Sequence, residues 1–529
     1  MAKVLGRAFG VLIVAAMSVA ASAKEPQVTI ADGSLVGTSA EGVESFKAIP
    51  FAAPPVGPLR WRAPQPVQPW QASRPAREYA PACMQDPVPG IAAPIEGPLS
   101  EDCLYLNVWR PANAKSDARL PVMVWIHGGG FVNGGATPAI FRGDAFARQG
   151  VIMVGIPYRL GRFGFFAHPA LSAAGEDGGL RGNYGVLDQI AALRWVQQNI
   201  AAFGGDPSRV TVFGESAGGA SVHMLLGSPL ANGLFAQAIV QSGGGRGSLL
   251  GNRYLDRDNG PLISMENAGR AFAVDKGIVG DGDKALAALR ALPAAELVGN
   301  LNMRTMVMHL ATFAGPAIDG TIVTGAPDAI YRTGRQAPVR LIIGATSADL
   351  GLDSAMSKDG LLQRFGTQSE VLRKAYDPDG SAPLRDLIAA VAGDATMGEP
   401  ARYVAGLFER QGLPAWNFRF SYVAESTRDK FPAGAPHASD IPYVMNTVNL
   451  RYGAATTARD AEMARVVNQY WINFAKTGNP NGSGLPEWPR YAPDRDLIMD
   501  FSSEGRAVAG PDPRKIKLDA FAAAAEAKD

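Results

Sequence analysis

The amino-acid sequence predicts an α/β protein with a large, mostly parallel central sheet, helices on both of its faces and long loop insertions. The first observation is a series of apolar and β-branched runs, each of which ends in small or polar residues, as buried parallel strands do. The second is that helical patterns separate these runs, an alternation that is typical of α/β folds. The predicted strands lie within LPVMVWIHGGGF (120–131), VIMVGIPYRL (151–160), RVTVFGESAGG (209–219), AQAIVQSGG (236–244) and PVRLIIGATS (338–347).

The clearest helical pattern lies between the second and third of these runs, within residues 183–207. Leu187, Ile190, Ala191 and Trp195 have the spacing of one helix face. The pattern stops at Gly204–Gly205, because glycine commonly ends helices. We therefore predict an amphipathic helix that covers one face of the sheet, and we expect a site in the loops at the carboxyl ends of the strands.

Composition favours a compact globular protein and disfavours polyanionic partners. Hydrophobic residues make up 47% of the 529 residues and charged residues only 19%, which argues against disorder. The formal net charge is +1, so the chain lacks the basic excess that nucleic acid or anionic membrane surfaces require. Neither an internal repeat nor a Gly/Ser/Pro-rich linker divides the sequence. Residues 24–529 are expected to form one domain.

The N-terminal residues have the order of a secretory signal. Lys3 and Arg7 precede an apolar run over 9–20, which is followed by Ala21-Ser22-Ala23. The run is too short for a membrane span, which needs about 20 apolar residues. We predict a signal peptide over residues 1–23, export to the periplasm or the medium, and no stable membrane anchor.

Cys83 and Cys103 are the two cysteines of the sequence. In an exported protein an isolated pair favours a disulfide over a metal site, which would need more ligands nearby. Closing such a loop typically adds about 3 kcal/mol of stability. Two unpaired buried thiols are the alternative.

Ser216 lies in FGESAGGAS (213–221), where Gly214 and Gly218 complete a GxSxG pattern directly after a predicted strand. A sharp turn from strand to helix would expose the serine side chain at the top of the sheet, and the glycines permit such a turn. Taken alone, the pattern also fits an ordinary glycine-rich turn. A nucleophilic serine needs a base, an acid that orients the base, and donors aimed at the developing oxyanion.

His437 is the best candidate for the base among the five histidines. It lies in GAPHASDIPYV (434–444), a loop of small residues that follows every predicted strand named above. The other four are better explained as packing or loop-fixing histidines: His127, His168, His223 and His309.

HGGGF (127–131) follows a predicted strand, and its glycines can turn peptide N–H groups toward a substrate oxygen. The N–H of Ala217, directly after the serine, would add another donor. The acid should follow a strand between Ser216 and His437, and LIIGATSADLGLD (341–353) offers Asp349 and Asp353 there. Asp440 is a local competitor, but a carboxylate that close to the histidine is more often a loop cap.

With these motifs, the sequence resembles the type B carboxylesterase and cholinesterase group of α/β-hydrolases. The resemblance extends over nearly the whole mature chain, and several long motifs occur in the family's order. They are FKAIPFAAPPVGPLRWRAPQP (46–66), SEDCLYLNVW (100–109), HGGGF, the stretch over 183–219, AIVQSGG (238–244), GAPHASDIPYV and YWINFAKTGNPN (470–481).

The resemblance implies a serine carboxylesterase with an α/β-hydrolase fold. Its catalytic residues would be Ser216 as nucleophile, His437 as base and Asp349 as acid, where the family usually has a glutamate. Its oxyanion hole would be formed by Gly129, Gly130 and Ala217. Neither a metal nor another cofactor is implied, since this chemistry needs none.

The expected partner is a small-molecule ester. In cholinesterases an aromatic residue in the loop closed by the first cysteine pair faces a quaternary ammonium group. The loop between Cys83 and Cys103 contains no Trp, Tyr or Phe, so a choline ester is disfavoured. An amidase or peptidase and a non-catalytic binding protein of the same fold are the alternatives. The natural ester and the oligomeric state stay open.

Overall fold

A computed structural model describes residues 25–89, 95, 97–112, 114–247, 251–351 and 353–527. The predicted signal peptide over 1–23 lies outside the described residues. The strands, in chain order, are β1 Gln27–Ile30, β2 Gly33–Val36, β3 Thr38–Ala40, β4 Val43–Pro50, β5 Arg74–Pro75, β6 Ala82–Cys83, β7 Leu99–Ser100, β8 Tyr105–Pro111, β9 Leu120–Ile126, β10 Ile152–Ile156, β11 Phe165–Phe166, β12 Gly182–Asn183, β13 Gly205–Glu215, β14 Gln237–Gln241, β15 Arg340–Thr346, β16 Ala415–Phe420, β17 Leu497–Phe501 and β18 Ala507–Pro511.

The α-helices surround these strands. In chain order they are α1 Asp144–Arg148, α2 Gly161–Gly164, α3 Pro169–Ala174, α4 Tyr184–Asn199, α5 Ala217–Gly227, α6 Met265–Asp275, α7 Asp283–Ala291, α8 Ala294–Val298, α9 Pro327–Arg332, α10 Lys358–Gln363, α11 Ser369–Tyr376, α12 Leu384–Gly393, α13 Glu399–Arg410, α14 Ile441–Val444, α15 Val448–Tyr452, α16 Ala458–Thr477 and α17 Lys515–Glu526.

The main sheet has 11 strands in the order β3-β4-β8-β10-β9-β13-β14-β15-β16-β17-β18. From β10 to β17 all neighbouring strands run parallel. The strands at the two edges pair antiparallel. The predicted α/β fold with a large, mostly parallel sheet is therefore confirmed, and the five predicted strands are β9, β10, β13, β14 and β15.

Strand β9 shows why the predicted strand segments are apolar at every position. Val122, Val124 and Ile126 belong to the core on one face of the sheet, and Met123 and Trp125 belong to the core on the other. Helices α4, α5 and α13 contribute to the first core, and α1, α14 and α16 contribute to the second. A strand that is buried on both faces needs apolar side chains at every position.

The predicted helix after Asn183 is α4, and its end agrees with the sequence pattern. A short 3-10 helix over Ile200–Phe203 follows it, and Gly204 then adopts a left-handed conformation with φ of 87°. Glycine takes this conformation without the penalty that a Cβ atom brings.

A longer helix, α16, has clear capping signals at both ends. The Thr457 hydroxyl accepts a bond from the Asp460 N–H, and the Asp460 carboxylate accepts one from the Thr457 N–H. Gly478 ends the helix with φ of 72°. Among the residues that the structure describes, no helix combines the length and the apolar character that a membrane span requires.

Candidate active site

Ser216 occupies the sharp turn between β13 and α5. Its backbone has φ of 57° and ψ of −122°, a conformation that is strained for a residue with a side chain. The turn is held from both sides, because Ser216 N–H donates to the Gln241 carbonyl at 2.9 Å and the Ala220 N–H donates to the Ser216 carbonyl at 2.8 Å. The predicted turn from strand to helix is present, with the serine at its apex.

The glycines of the motif are needed because three backbone segments meet here. A Cβ atom on Gly214 would lie 2.5 Å from the Gly218 carbonyl carbon, and one on Gly218 would lie 2.1 Å from the Ile126 oxygen. A Cβ atom on Gly128 would lie 3.1 Å from the Cβ of Ser216. The loop after β9 therefore passes directly against the serine.

The glycines after His127 adopt backbone conformations that other residues rarely take. Gly129 has φ of 106° and Gly130 has φ of 64°. A Cβ atom on Gly129 would lie 2.1 Å from the Asn133 oxygen. Ala217, the third predicted oxyanion donor, is the first residue of α5, where the N–H groups of a helix have no partner within the helix. All three predicted donors thus lie on segments that adjoin Ser216.

The loops that carry Asp349 and His437 are joined to each other by backbone bonds. Ala348 pairs with Pro436 as a parallel bridge. The Ala348 N–H donates to the Ala435 carbonyl at 2.9 Å. Because β15 and β16 are neighbouring parallel strands, their carboxyl ends bring these loops to the same edge of the sheet as Ser216.

Asp349 meets His437 through the ring nitrogen Nδ1. The distance from Nδ1 of His437 to Oδ1 of Asp349 is 2.5 Å. The other oxygen, Oδ2, accepts the Ser242 hydroxyl at 2.6 Å and the Thr346 N–H at 2.9 Å. Burial raises the pKa of Asp349, but His437, the Ser242 hydroxyl and the Leu350 N–H outweigh burial and hold the pKa below its usual value. Asp349 is therefore an ionised, fully bonded partner for an imidazole.

Neither of the two competing carboxylates forms the contact with Nδ1 of His437, although Asp440 lies near enough to raise the pKa of that ring. Asp353 accepts the Ala355 N–H at 2.8 Å and pairs with Arg364. Asp440 precedes α14, yet its side chain does not cap that helix. Instead, Asp440 Oδ2 accepts the side-chain amide of Gln241 at 2.6 Å. The interpretation of Asp440 as a loop cap is therefore wrong, because its carboxylate accepts a hydrogen bond from the buried side-chain amide of Gln241 on β14.

Glu215 is a site residue that the sequence analysis did not single out. Its Oε1 atom lies 3.2 Å from Nε2 of His437, on the side of the ring that faces away from Asp349. Burial raises the pKa of Glu215 to about 8, although His437 acts against this shift. The only signal in the sequence is its place inside GESAG, directly before the serine.

The electrostatics of His437 follow from these neighbours. Burial lowers its pKa, but the carboxylates of Glu215 and Asp349 outweigh burial and raise the pKa above its usual value. In the described part of the chain, Nε2 of His437 has no hydrogen-bond partner. Oε1 of Glu215 lies 3.2 Å from this nitrogen, which can accept a proton when the ring is neutral.

Ser216 and His437 open into one cavity of about 200 Å³. Its polar lining includes Glu215 and His127. The remaining wall is formed by glycines and apolar side chains, which are Gly128, Gly129, Gly134, Phe141, Met303, Ala438 and Ile441. The arrangement suits a neutral, largely apolar ligand beside the serine.

Three of the other histidines contact neighbouring groups, and the fourth lies in a short helix. Nδ1 of His127 contacts the Gly128 carbonyl at 2.8 Å within the glycine loop. His168 caps α3 by accepting the Ala170 N–H at 3.1 Å. His223 bonds the Tyr331 hydroxyl at 2.6 Å. His309 lies in a 3-10 helix over Met306–His309.

Cys83 and Cys103 form the predicted disulfide. It closes the loop that carries Gln85, whose side chain bonds both backbone groups of Gly134 in the cavity wall, at 2.7 and 2.9 Å. Over the residues that are described, no group of three or more His, Cys, Asp or Glu side chains has the arrangement of a metal site.

Comparison with known proteins agrees with this geometry. The model of the carboxylesterase family matches residues 24–518. Fumonisin B1 esterase of Sphingopyxis macrogoltabida is 33% identical over 511 residues, which cover 92% of this chain and 89% of that protein. Liver carboxylesterase 1 of Oryctolagus cuniculus is 35% identical over 519 residues, and carboxylesterase 1E of Mus musculus is 34% identical over 518, each covering 88% of both chains. The protein therefore belongs to the carboxylesterase family and is a carboxylic ester hydrolase with an α/β-hydrolase fold.

Proposed function

We propose that this protein is an exported serine carboxylesterase that hydrolyses carboxylic esters through an acyl-enzyme on Ser216. The observation that carries the proposal is the 2.5 Å contact between Nδ1 of His437 and Asp349, in a site where His437 and Ser216 line the same cavity. A base held by an acid beside a strained serine is the arrangement that acyl transfer requires.

In the first half of the reaction, His437 Nε2 takes the proton of the Ser216 hydroxyl as Oγ attacks the ester carbonyl carbon. Asp349 stabilises the imidazolium that forms and keeps the proton on Nδ1. The N–H groups of Gly129, Gly130 and Ala217 stabilise the oxyanion of the tetrahedral intermediate. The positive end of α5 adds to this effect, because the helix begins at the serine.

Collapse of the intermediate breaks the bond to the alcohol, which leaves with the proton from His437. In the second half, His437 takes a proton from water, and the hydroxide attacks the acyl-enzyme. A second tetrahedral intermediate then releases the carboxylic acid and returns the proton to Ser216. No group outside the chain, the ester and water is needed.

The cavity indicates the kind of ester. Phe141, Met303 and Ile441 contribute apolar wall, and the described lining holds no basic side chain other than histidine. An uncharged acyl or alcohol group fits this wall better than a charged one, because a buried charge without a partner is costly. The names of the relatives support only that the substrate is a carboxylic ester.

The test is hydrolysis of p-nitrophenyl butyrate by the wild type and by Ser216→Ala. We expect kcat to fall at least about a thousand-fold in Ser216→Ala, because the nucleophile is lost. Ser221→Ala is the matched control, since Ser221 lies on the same helix and donates to the Ala217 carbonyl at 2.8 Å. Circular dichroism should show the same fold in all three proteins.

The acyl-enzyme itself can be detected by mass spectrometry. A p-nitrophenyl alkylphosphonate should add one phosphonyl group to the wild type and none to Ser216→Ala. Labelling of another residue, or hydrolysis that survives in Ser216→Ala, would overturn the assignment of the nucleophile.

We infer that export follows from residues 1–23 and that residues 24–529 form one catalytic domain. The Cys83–Cys103 disulfide supports export, because such bonds persist in oxidising compartments. N-terminal sequencing of the protein from the periplasm or the medium should begin at Lys24. A protein that keeps Met1 and stays in the cytoplasm would contradict this inference.

A further inference from the structure

One short segment beside the catalytic cavity exposes a cluster of large apolar side chains. Val307, Met308 and Leu310 are 57%, 75% and 43% exposed. No other four-residue stretch of the described chain exposes three large apolar residues. Single exposed apolar residues are ordinary, but a cluster of them marks a binding surface. We call these three residues the apolar rim.

The rim belongs to a segment that is fixed at both ends and in its middle. The buried guanidinium of Arg162 donates to the Leu297 carbonyl at 3.1 Å and to the Thr312 carbonyl and hydroxyl at 3.2 and 3.0 Å. Between these ends, the Met303 N–H donates to Oδ1 of Asn133 at 2.9 Å. The apolar side chains are therefore exposed on an anchored segment.

The inner side of the same segment forms part of the catalytic site. Met303 lines the cavity together with Ser216. A Cβ atom on Gly130 would lie 3.5 Å from Cγ of Met303 and 3.4 Å from Sδ of Met306. The 3-10 helix that begins at Met306 leads directly to the rim. In such a helix residues three apart share a face, as Val307 and Leu310 do. The rim thus follows along the chain from two methionines that adjoin Gly130, and one of them, Met303, lines the cavity.

The rim and the residues that follow it lack charge, whereas Arg304, which precedes the rim, donates to the Pro89 carbonyl at 2.8 Å. Residues 305–318 contain no Asp, Glu, Lys or Arg. Burial, together with the nearby charge of Arg162, lowers the pKa of His309, which favours the neutral form of the ring. A surface without ionic groups does not select a charged ligand. Its methionines adapt to an apolar ligand of variable shape.

We propose that the apolar rim binds the distal part of a long hydrocarbon chain in the ester substrate. The reacting end of the ester occupies the cavity of about 200 Å³, and the part of the chain that exceeds it lies along Met303 and Met306 onto the rim. The proposal rests on the proposed function and names its substrate class, which is long-chain aliphatic esters. Each methylene group that leaves water strengthens binding by about four-fold.

The test compares p-nitrophenyl dodecanoate with p-nitrophenyl butyrate, both as monomers below their aggregation limits. In the triple variant Val307→Ser/Met308→Ser/Leu310→Ser, the ratio of kcat/KM for dodecanoate to that for butyrate should fall about ten-fold, mostly through KM for dodecanoate. An unchanged ratio would overturn the proposal.

A matched control removes the same kind of exposed apolar surface elsewhere. Val274, Val279 and Ile516 are exposed and lie outside the segment over 297–313. The variant Val274→Ser/Val279→Ser/Ile516→Ser should keep the wild-type ratio. An equal fall in this control would mean that the rim is not specific for the chain, and it would overturn the proposal.

Binding separates this proposal from the function on which it rests. In the Ser216→Ala background, calorimetry should show that the rim substitutions weaken binding of the dodecanoate ester about ten-fold more than binding of the butyrate ester. If the wild type cleaves neither ester, the proposed function fails, and this binding comparison still decides the role of the rim. The rim substitutions could instead abolish adsorption to neutral phosphatidylcholine vesicles and leave the selectivity between monomeric esters unchanged. That result would show that the rim binds a lipid surface and not the substrate chain, and it would overturn the proposal.

Discussion

Oε1 of Glu215 lies 3.2 Å from Nε2 of His437, the nitrogen that would accept the Ser216 proton in the proposed mechanism. An ionised carboxylate at this position favours the imidazolium, which cannot act as a base. Burial raises the pKa of Glu215 to about 8 and so favours its neutral acid form at pH 7. We therefore expect the protonation state of Glu215 to affect the fraction of His437 that is neutral and able to act as a base.

Glu215→Gln should shift the acid limb of the pH profile. The amide cannot form the pair of ionised Glu215 and imidazolium, so His437 loses its proton at lower pH. Activity is present above the pKa of His437 and lost below it. We expect the acid limb of kcat/KM to move to lower pH by about one unit. The measurement is kcat/KM for p-nitrophenyl butyrate between pH 5 and 9.

Glu44→Gln is the control for this experiment. Glu44 is also buried, but its carboxylate pairs with Arg110 at 2.7 Å on strands near the far edge of the sheet. This variant should lose stability and keep the wild-type acid limb. If Glu215→Gln also leaves the limb in place, Glu215 does not act on the protonation of His437.

Asp349→Asn and Asp353→Asn should differ strongly in kcat. In Asp349→Asn the amide no longer stabilises the imidazolium or fixes the proton on Nδ1, and we expect kcat to fall by about three to four orders of magnitude. Asp353→Asn removes a surface pair with Arg364 and should keep kcat within about three-fold. Steady-state kinetics on both variants gives the comparison. A large loss in Asp353→Asn with none in Asp349→Asn would reverse the assignment.

The sequence was sufficient for the parts of the site that follow from local pattern. Ser216 and the glycines around it were found because a strand, a tight turn and a helix leave a signature within ten residues. Local sequence pattern alone did not distinguish Asp349 from Asp353 as the acid. The distinction depends on the bridge between Ala348 and Pro436, which forms only when the loops after two neighbouring strands meet.

The contacts of three polar neighbours of the site could not be predicted from the sequence for the same reason. The Ser242 hydroxyl reaches Asp349 from a residue 107 positions away, and the Gln241 amide reaches Asp440 from one 199 positions away. Glu215 is next to the serine in sequence, but its raised pKa results from burial in the folded core. These residues lie in the motifs AIVQSGG and GESAG, but the motifs do not show which distant side chains they contact, because packing sets those contacts.

Removal of the disulfide should lower stability and loosen the cavity wall. In Cys83→Ser/Cys103→Ser we expect the free energy of unfolding to fall by about 3 kcal/mol, because the unfolded chain regains the freedom of the loop. Gln85, which holds Gly134, lies two residues from Cys83. Urea denaturation of the variant and of the unreduced and reduced wild type gives the measurement. A difference below about 1 kcal/mol would show that the loop is fixed by its packing alone.

Gln241→Leu should destabilise the loop that carries His437. The side-chain amide of Gln241 donates to buried Asp440 at 2.6 Å and accepts the Trp471 indole N–H at 3.3 Å, so its removal leaves a buried carboxylate oxygen without its donor and a buried N–H without its acceptor. We expect the free energy of unfolding to fall by about 2 to 3 kcal/mol, since the lost bond involves a charged group. Gln237→Leu, on the same strand, is the matched control. Its amide oxygen accepts only the neutral hydroxyl of Thr211 at 3.4 Å, and the expected loss is about 1 kcal/mol. Urea denaturation of both variants measures the two losses of unfolding free energy. Equal losses would mean that the bond to Asp440 contributes no more to stability than the bond to Thr211.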